Sequence, residues 1–135
     1  MPTAVEDKEA IREVLAEYCF RLDDGQFAGM AALFTEDGTW DTAFGKATGR
    51  AAIAELASSL RQRGKQPRPR AVHLVTNIAI NLDGEHARVR SNWMVMQNSQ
   101  QGPRIGTGGA YLDEMVRSDG SWRFRNRKID RFIVP

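Results

Sequence analysis

The stretch that decides the fold runs from Ala71 to Asn98, AVHLVTNIAINLDGEHARVRSNWMVMQN. Asp83-Gly84 at its centre is a dipeptide that tight hairpins favour, because both central positions of such a turn take a positive φ. Residues 71–82 and 85–98 on either side are rich in β-branched and apolar side chains, so they read as paired strands. The pattern recurs downstream, where 104–117 and 121–134 flank Asp119-Gly120. Strands of roughly 10–14 residues are about twice the usual length. A sheet built from them twists and bends, and the sequence predicts one wrapped around an interior. Alternation places Ala71, His73, Val75 and Asn77 on one face, with Val72, Leu74, Thr76 and Ile78 on the other. Gly106-Thr107-Gly108-Gly109 falls inside a strand pattern and reads as a bulge.

Upstream the period changes. Ile11, Leu15, Tyr18 and Leu22 recur on one face of a helix. Thr3 with Glu6 resembles a capping box before it, and Gly25 supplies a stop after it. A short second helix is expected over 27–34, with Phe27, Met30, Ala31 and Phe34 inward. Asp37-Gly38 then reads as a turn and 39–43 as a short strand. A third helix over about 50–61 carries Ile53, Leu56, Ala57 and Leu60 as its stripe, capped by Thr48. Helices followed by long antiparallel strands define an α+β class. The order predicts a cone: helices packed on a strongly curved, mostly antiparallel sheet that encloses a pocket. At 135 residues the whole chain, 1–135, is expected to form a single domain.

Composition removes several function classes. Hydrophobic residues make up 41% and charged residues 27%, which suits a globular rather than a disordered chain. No apolar run approaches the roughly 20 residues that cross a bilayer. The opening MPTAVEDKEA is acidic and polar, unlike a secretory leader, so a cytoplasmic protein with no membrane partner is expected. Cys19, the single cysteine, excludes an intramolecular disulfide and fits a reducing compartment. With two histidines it cannot supply a structural zinc site. A net charge of +2 does not imply a nucleic-acid partner. The basic run RQRGKQPRPR, residues 61–70, lacks the aromatics that stack bases and reads as a solvated loop. The alternative is a place at the pocket mouth, where it would attract an acidic substrate. No phosphate loop, dinucleotide fingerprint or metal-ligand cluster occurs, so neither cofactor nor metal is expected.

Two histidines can be weighed one by one. His86 follows the first hairpin turn and reads as solvated. His73 lies among Val72, Leu74 and Val75, either as a satisfied core histidine or as part of an active-site wall. Tyr18 and the pair Asp23-Asp24 end the first helix. Carboxylates there face the negative end of the helix dipole, so helix stability does not explain them; an acidic turn before Gly25 is the other reading. A neutral imidazole is an effective base near pH 7, and a carboxylate on its other nitrogen fixes the tautomer and steadies the imidazolium.

Several segments carry a resemblance. Ile11-Arg12-Glu13 through Tyr18-Cys19-Phe20-Arg21-Leu22-Asp23, Phe34-Thr35-Glu36-Asp37-Gly38-Thr39-Trp40, His73-Leu74-Val75-Thr76-Asn77 and Asp119-Gly120-Ser121-Trp122-Arg123-Phe124 resemble SnoaL-like proteins of the NTF2-like (cystatin-like cone) superfamily. The branch with scytalone dehydratase, bile-acid dehydratase and dehydrochlorinase uses a His-Asp dyad to abstract a proton. The resemblance puts these roles on His73 and on Asp23 rather than Asp24. Some dehydratases add a tyrosine that matches Tyr18, where dehydrochlorinases carry lysine. Their last-strand arginine falls at Arg127. The resemblance thus implies a cofactor-independent, dehydratase-like lyase or isomerase acting on a small, mostly apolar or polycyclic substrate. The same superfold also hosts epoxide hydrolases, cyclases and non-catalytic binding or assembly subunits such as the small subunit of ring-hydroxylating dioxygenases, and these remain the alternatives.

Trp40, Asn77, Trp93 and Tyr111 are the candidate substrate-binding residues beside the dyad, each with plain packing as the competing role. Arg127 is a further candidate, although alternation groups it with Arg123 and Arg125, a set that reads as solvated. Cys19 reads as a small buried hydrophobe. Met94 and Met96 mark an apolar outer sheet face, from which a homodimer or homotrimer is expected.

Overall fold

The computed structural model describes residues 1–63 and 70–135; the central part of the basic run, 64–69, lies outside the described residues. The first helix, α1 (Ala4–Asp23), has both halves of the capping box between Thr3 and Glu6. It buries Ile11, Leu15, Tyr18 and Cys19, and the chain leaves it through Gly25 at φ +73°. The second helix, α2, covers only Phe27–Ala31. Phe34, expected at its end, instead opens strand β1 (Phe34–Thr42) and packs on Phe124 with ring centres 5.1 Å apart. Asp37-Gly38 is correspondingly a kink within β1 rather than a turn before it. A Cβ on Gly38 would stand 3.1 Å from the carbonyl oxygens of both Thr35 and Phe124. The sequence pattern also lacked strand β2 (Gly45–Thr48), which is too short to alternate visibly. Helix α3 (Arg50–Gln62) starts at Gly49 without a side-chain cap, so Thr48 does not cap it.

Strands β3 (Ala71–Asp83), β4 (His86–Ser99), β5 (Gly102–Ser118) and β6 (Ser121–Ile133) follow the two predicted hairpins. The sheet order is β2-β1-β6-β5-β4-β3, antiparallel throughout except for the β1–β6 pair. The fold is α+β, with helices on an open, curled, mostly antiparallel sheet. Among the described residues no helix is long and apolar enough to cross a membrane.

Bulges bend the long strands. Register shifts occur between Thr76 and Ala79 on β3, and between Val95 and Met96 on β4 opposite Gly106. They recur between Gly108 and Gly109 and between Glu114 and Met115 on β5. The glycine-rich stretch is therefore a bulged crossing, as expected. Gly109 is required there, because a Cβ would lie 1.9 Å from the Asp130 carbonyl oxygen.

Asp7 clasps α1 to the far end of the sheet. It accepts from Trp122 Nε1 at 3.1 Å and pairs with Arg117, whose guanidinium stands over the Trp122 ring. The hydrogen bond from Trp122 holds the Asp7 carboxyl below its usual range against the cost of burial, and Arg117 adds to it. A carboxyl lowered on folding stabilises the native state above the unfolded value of about 3.9, and that contribution vanishes as pH falls through the folded value. Asp7→Asn is expected to melt below the wild type at pH 7, and the gap should close as pH falls below about 4. Thermal melts across that range check this; a constant gap would mean that the clasp owes nothing to ionisation.

Candidate active site

β3 is an edge strand, and its first residues face the C-terminal end of α1. Asp23, the last residue of that helix, answers two needs of His73 at once. One carboxylate oxygen accepts the His73 backbone N–H at 2.9 Å, satisfying a donor with no strand beside it. The other lies 2.6 Å from His73 Nδ1. An ionised carboxylate only accepts, so Nδ1 is the nitrogen that donates to it, and in the neutral ring the lone pair falls on Nε2. The Asp23 side chain is 10% exposed and that of His73 22%. Asp24 is exposed and His86 lies in solvent at the start of β4. Arg61 reaches back to donate to the Leu22 and Asp23 carbonyls, at 3.2 and 3.3 Å, capping the helix end that carries the dyad.

From His73 a diagonal row crosses the concave face, one residue per strand. His73 stacks near Trp93 (6.3 Å between ring centres, 26°), and Trp93 stacks on Tyr111 (5.8 Å, 17°). Arg127 lies over Tyr111, with 3.6 Å from the guanidinium carbon to the ring centre. Arg127 is 0% exposed. It donates to both oxygens of Asp113, at 2.8 and 3.1 Å, and also faces the rings of Tyr18 and Phe124. Burial raises the Asp113 carboxyl and works against the Arg127 charge, yet Asp113 and the neighbouring phenols lift the guanidinium above its ordinary value. Trp40 Nε1 donates to the Tyr18 hydroxyl at 2.9 Å, leaving the phenol proton free to be donated. Burial raises both Tyr18 and Tyr111, so both phenols stay protonated. It also pushes the Cys19 thiol up to about 11, in keeping with an inert buried cysteine.

The His73–Asp23 pair and the aromatic part of the row border a cavity of about 760 Å³, within the range of small-molecule sites. Tyr18, Asp23, His73, Trp40, Trp93 and Tyr111 all belong to its wall. Two candidates do not. Asn77 takes φ +55°, which asparagine tolerates better than most residues, at the β3 bulge. The extra residue flips the alternation, so Asn77 is exposed while Ile78 and Ile80 pack inward. Arg127 departs in the other direction. The shift opposite Glu114 and Met115 skips Arg125, which takes Arg127 off the face of Arg123 and Arg125 and into the core, behind the wall. The same shift turns Arg131 into the cavity wall, where Thr107 and Phe44 accompany it. Strict alternation conceals Arg131, although its spacing of four from Arg127 places the two on one face. Among the described residues, no group of three His, Cys, Asp or Glu side chains is arranged to hold a metal ion.

The SnoaL-like domain family matches residues 3–128, and the chain belongs to it. No match was found among curated proteins. Among solved structures, a Mycobacterium tuberculosis protein of unknown function is 28% identical, with 96% of this chain and 76% of that one covered and a TM-score of 0.83. An NTF2-like protein with a cystatin-like fold from Novosphingobium aromaticivorans is 27% identical over 92% and 80%, with a TM-score of 0.80. A protein from the same organism described as a putative scytalone dehydratase is 27% identical over 93% and 84%, with a TM-score of 0.75.

Removing one partner of a buried ion pair leaves the other charge stranded, at a cost of about 3–5 kcal/mol, whereas replacing both with apolar residues costs much less. Asp113→Asn should therefore lower the urea midpoint sharply, and the Asp113→Leu/Arg127→Met double variant should recover most of the loss. A double variant less stable than the single one would show that the stacked guanidinium itself, and not the pairing, supports the core.

Proposed function

We propose that the protein is a cofactor-independent lyase or isomerase of the dehydratase type, acting on a small, mostly apolar cyclic substrate. The observation that carries this reading is the bidentate hold of Asp23 on His73, which orients a basic Nε2 in an aromatic-walled cavity. His73 Nε2 takes the proton from a carbon next to an activating group, and Asp23 stabilises the imidazolium that forms. The C–H electron pair becomes the new double bond as the C–O bond breaks. The leaving hydroxide takes the proton back from the imidazolium and departs as water, returning His73 to its starting state. Tyr18, with its oxygen already accepting from Trp40, donates its proton as a hydrogen bond to the substrate oxygen. The resemblance to a protein described as a putative scytalone dehydratase supports the same class. In isomerisation the proton returns to a different carbon and no water leaves.

General-base catalysis contributes roughly 10²–10⁴-fold. In a screen of cyclic alcohols read by mass for loss of water, His73→Ala should lose turnover on that scale while keeping ligand affinity. Asp23→Asn should retain the fold and lose rate, and Tyr18→Phe should lose less than either. Two groups working as one unit lose hardly more together than the first loses alone. Fully multiplicative losses in the His73/Asp23 double variant would sink the dyad.

The outer sheet face carries exposed Val72, Leu74, Ile105 and Leu112 beside half-exposed Met94 and Met96. We assign this apolar face to self-association as a homodimer or homotrimer. Light scattering should give twice or three times the chain mass, and a monomer across all concentrations would refute the assignment.

A further inference from the structure

The charges around the cavity are one-sided. The chain as a whole is nearly balanced, with 19 basic and 17 acidic residues. Among the described residues, Arg61, Arg63, Arg70 and Arg131 nevertheless border the cavity against a single carboxylate, Asp23, which His73 already occupies. Arg61 is tied to the end of α1. Arg63 and Arg70 are exposed. Arg131 is half-buried and held in place by neutral groups only: its Nε donates to Thr107 Oγ1 at 2.9 Å, and its guanidinium carbon lies 5.1 Å from the centre of the Phe44 ring. Among the described residues no carboxylate pairs with it, in contrast to Arg127 four residues earlier. The two terminal nitrogens of Arg131 thus form a fixed donor fork with no anion to receive it.

We propose, on the reading of this cavity as an active site, that its substrate is a cyclic carboxylate whose acid group docks on Arg131. The apolar ring system lies along Trp93 and Trp40, and Arg63 and Arg70 raise the positive potential through which the acid group arrives. A planar carboxylate matches one guanidinium fork. Two helix ends that border the cavity, Leu22–Asp23 of α1 and Leu60–Arg61 of α3, are C-terminal and offer no N–H groups to a phosphate, and the N-terminal end there, at Phe27, belongs to the five-residue α2. With one guanidinium fork and no developed helix N-terminus beside it, the anion is assigned as a carboxylate of the substrate itself rather than the phosphate of a carrier.

Calorimetric titration of the intact protein with 2-naphthoate, its neutral isostere 2-naphthamide and 2-naphthyl phosphate tests this. The naphthoate should bind about tenfold or more tightly than the amide, and the preference should shrink as salt is raised. Arg131→Gln should abolish the preference while leaving amide affinity unchanged, and Arg131→Lys should retain part of it. Equal binding of naphthoate and amide, no binding of naphthoate, or an undiminished preference in Arg131→Gln would overturn the proposal. Binding of the phosphate about tenfold more tightly than the naphthoate would overturn the carboxylate assignment. Should Arg131→Gln fail to fold, the salt dependence of the wild-type preference decides. His73→Ala should leave the naphthoate preference intact, so failure of the anion site and failure of the dyad show up in different measurements.

Discussion

A guanidinium with no access to water, Arg127, sits where β6 meets the underside of α1, and the packing around it follows from the need to compensate that charge. Asp113 on the neighbouring strand supplies both oxygens. Nη1 finds no acceptor among the described residues, and the faces of Tyr111, Tyr18 and Phe124 surround the group instead. Aromatic faces attract a desolvated cation more strongly than one in water. Tyr111 and Tyr18 are thereby fixed in position, and both also belong to the cavity wall. The buried pair is thus the support on which the inner wall of the site is set.

At the other end of the diagonal row the constraint is a strand edge. An edge strand presents unpaired backbone groups, and proteins cover or block them. Here Asp23 blocks the edge at His73 and binds its ring with the same carboxylate. A carboxylate at the C-terminal end of a helix is poorly placed for that helix. Its two hydrogen bonds to His73 offset this cost, aided by Arg61 on the adjacent carbonyls. Orientation of the imidazole and closure of the sheet edge therefore depend on one residue, so substitutions at Asp23 act on packing as well as on the tautomer.

Much of this was legible in the sequence. The spacing of Ile11, Leu15 and Tyr18, the capping box at Thr3 and the two Asp-Gly hairpins are local signals, and local signals survive folding. What failed was extrapolation of strand alternation across bulges. Counting in twos places Asn77 on the face of His73, but the single extra residue on β3 reverses every side chain beyond Thr76. The same counting put Arg127 among solvent-facing arginines, and the skipped Arg125 turned it inward together with Arg131. Gly38 and β2 escaped for a different reason. The kink at Gly38 is set by contact with Phe124, distant in sequence, and four residues carry no usable period.

The bulge on β6 turns two arginines inward, and their surroundings then set them apart. Arg127 is neutralised by a carboxylate and enclosed, so it contributes order to the inner wall and little net charge. Arg131, on the same face and further along the strand, meets only a hydroxyl and a ring, so its charge is felt in the cavity. The cavity consequently has a neutral, aromatic inner wall, a basic nitrogen at His73 and fixed positive charge on Arg131. Under the proposed docking, such a gradient orients an amphipathic anion end to end, with its apolar ring along Trp93 and Trp40. In the proposed reaction it would also lower the energy of the negative charge that develops as His73 removes a proton, because a fixed cation needs no reorientation as that charge forms. In that reading, orientation and transition-state stabilisation are two consequences of one charge placement, and that placement follows from a single inserted residue on β6.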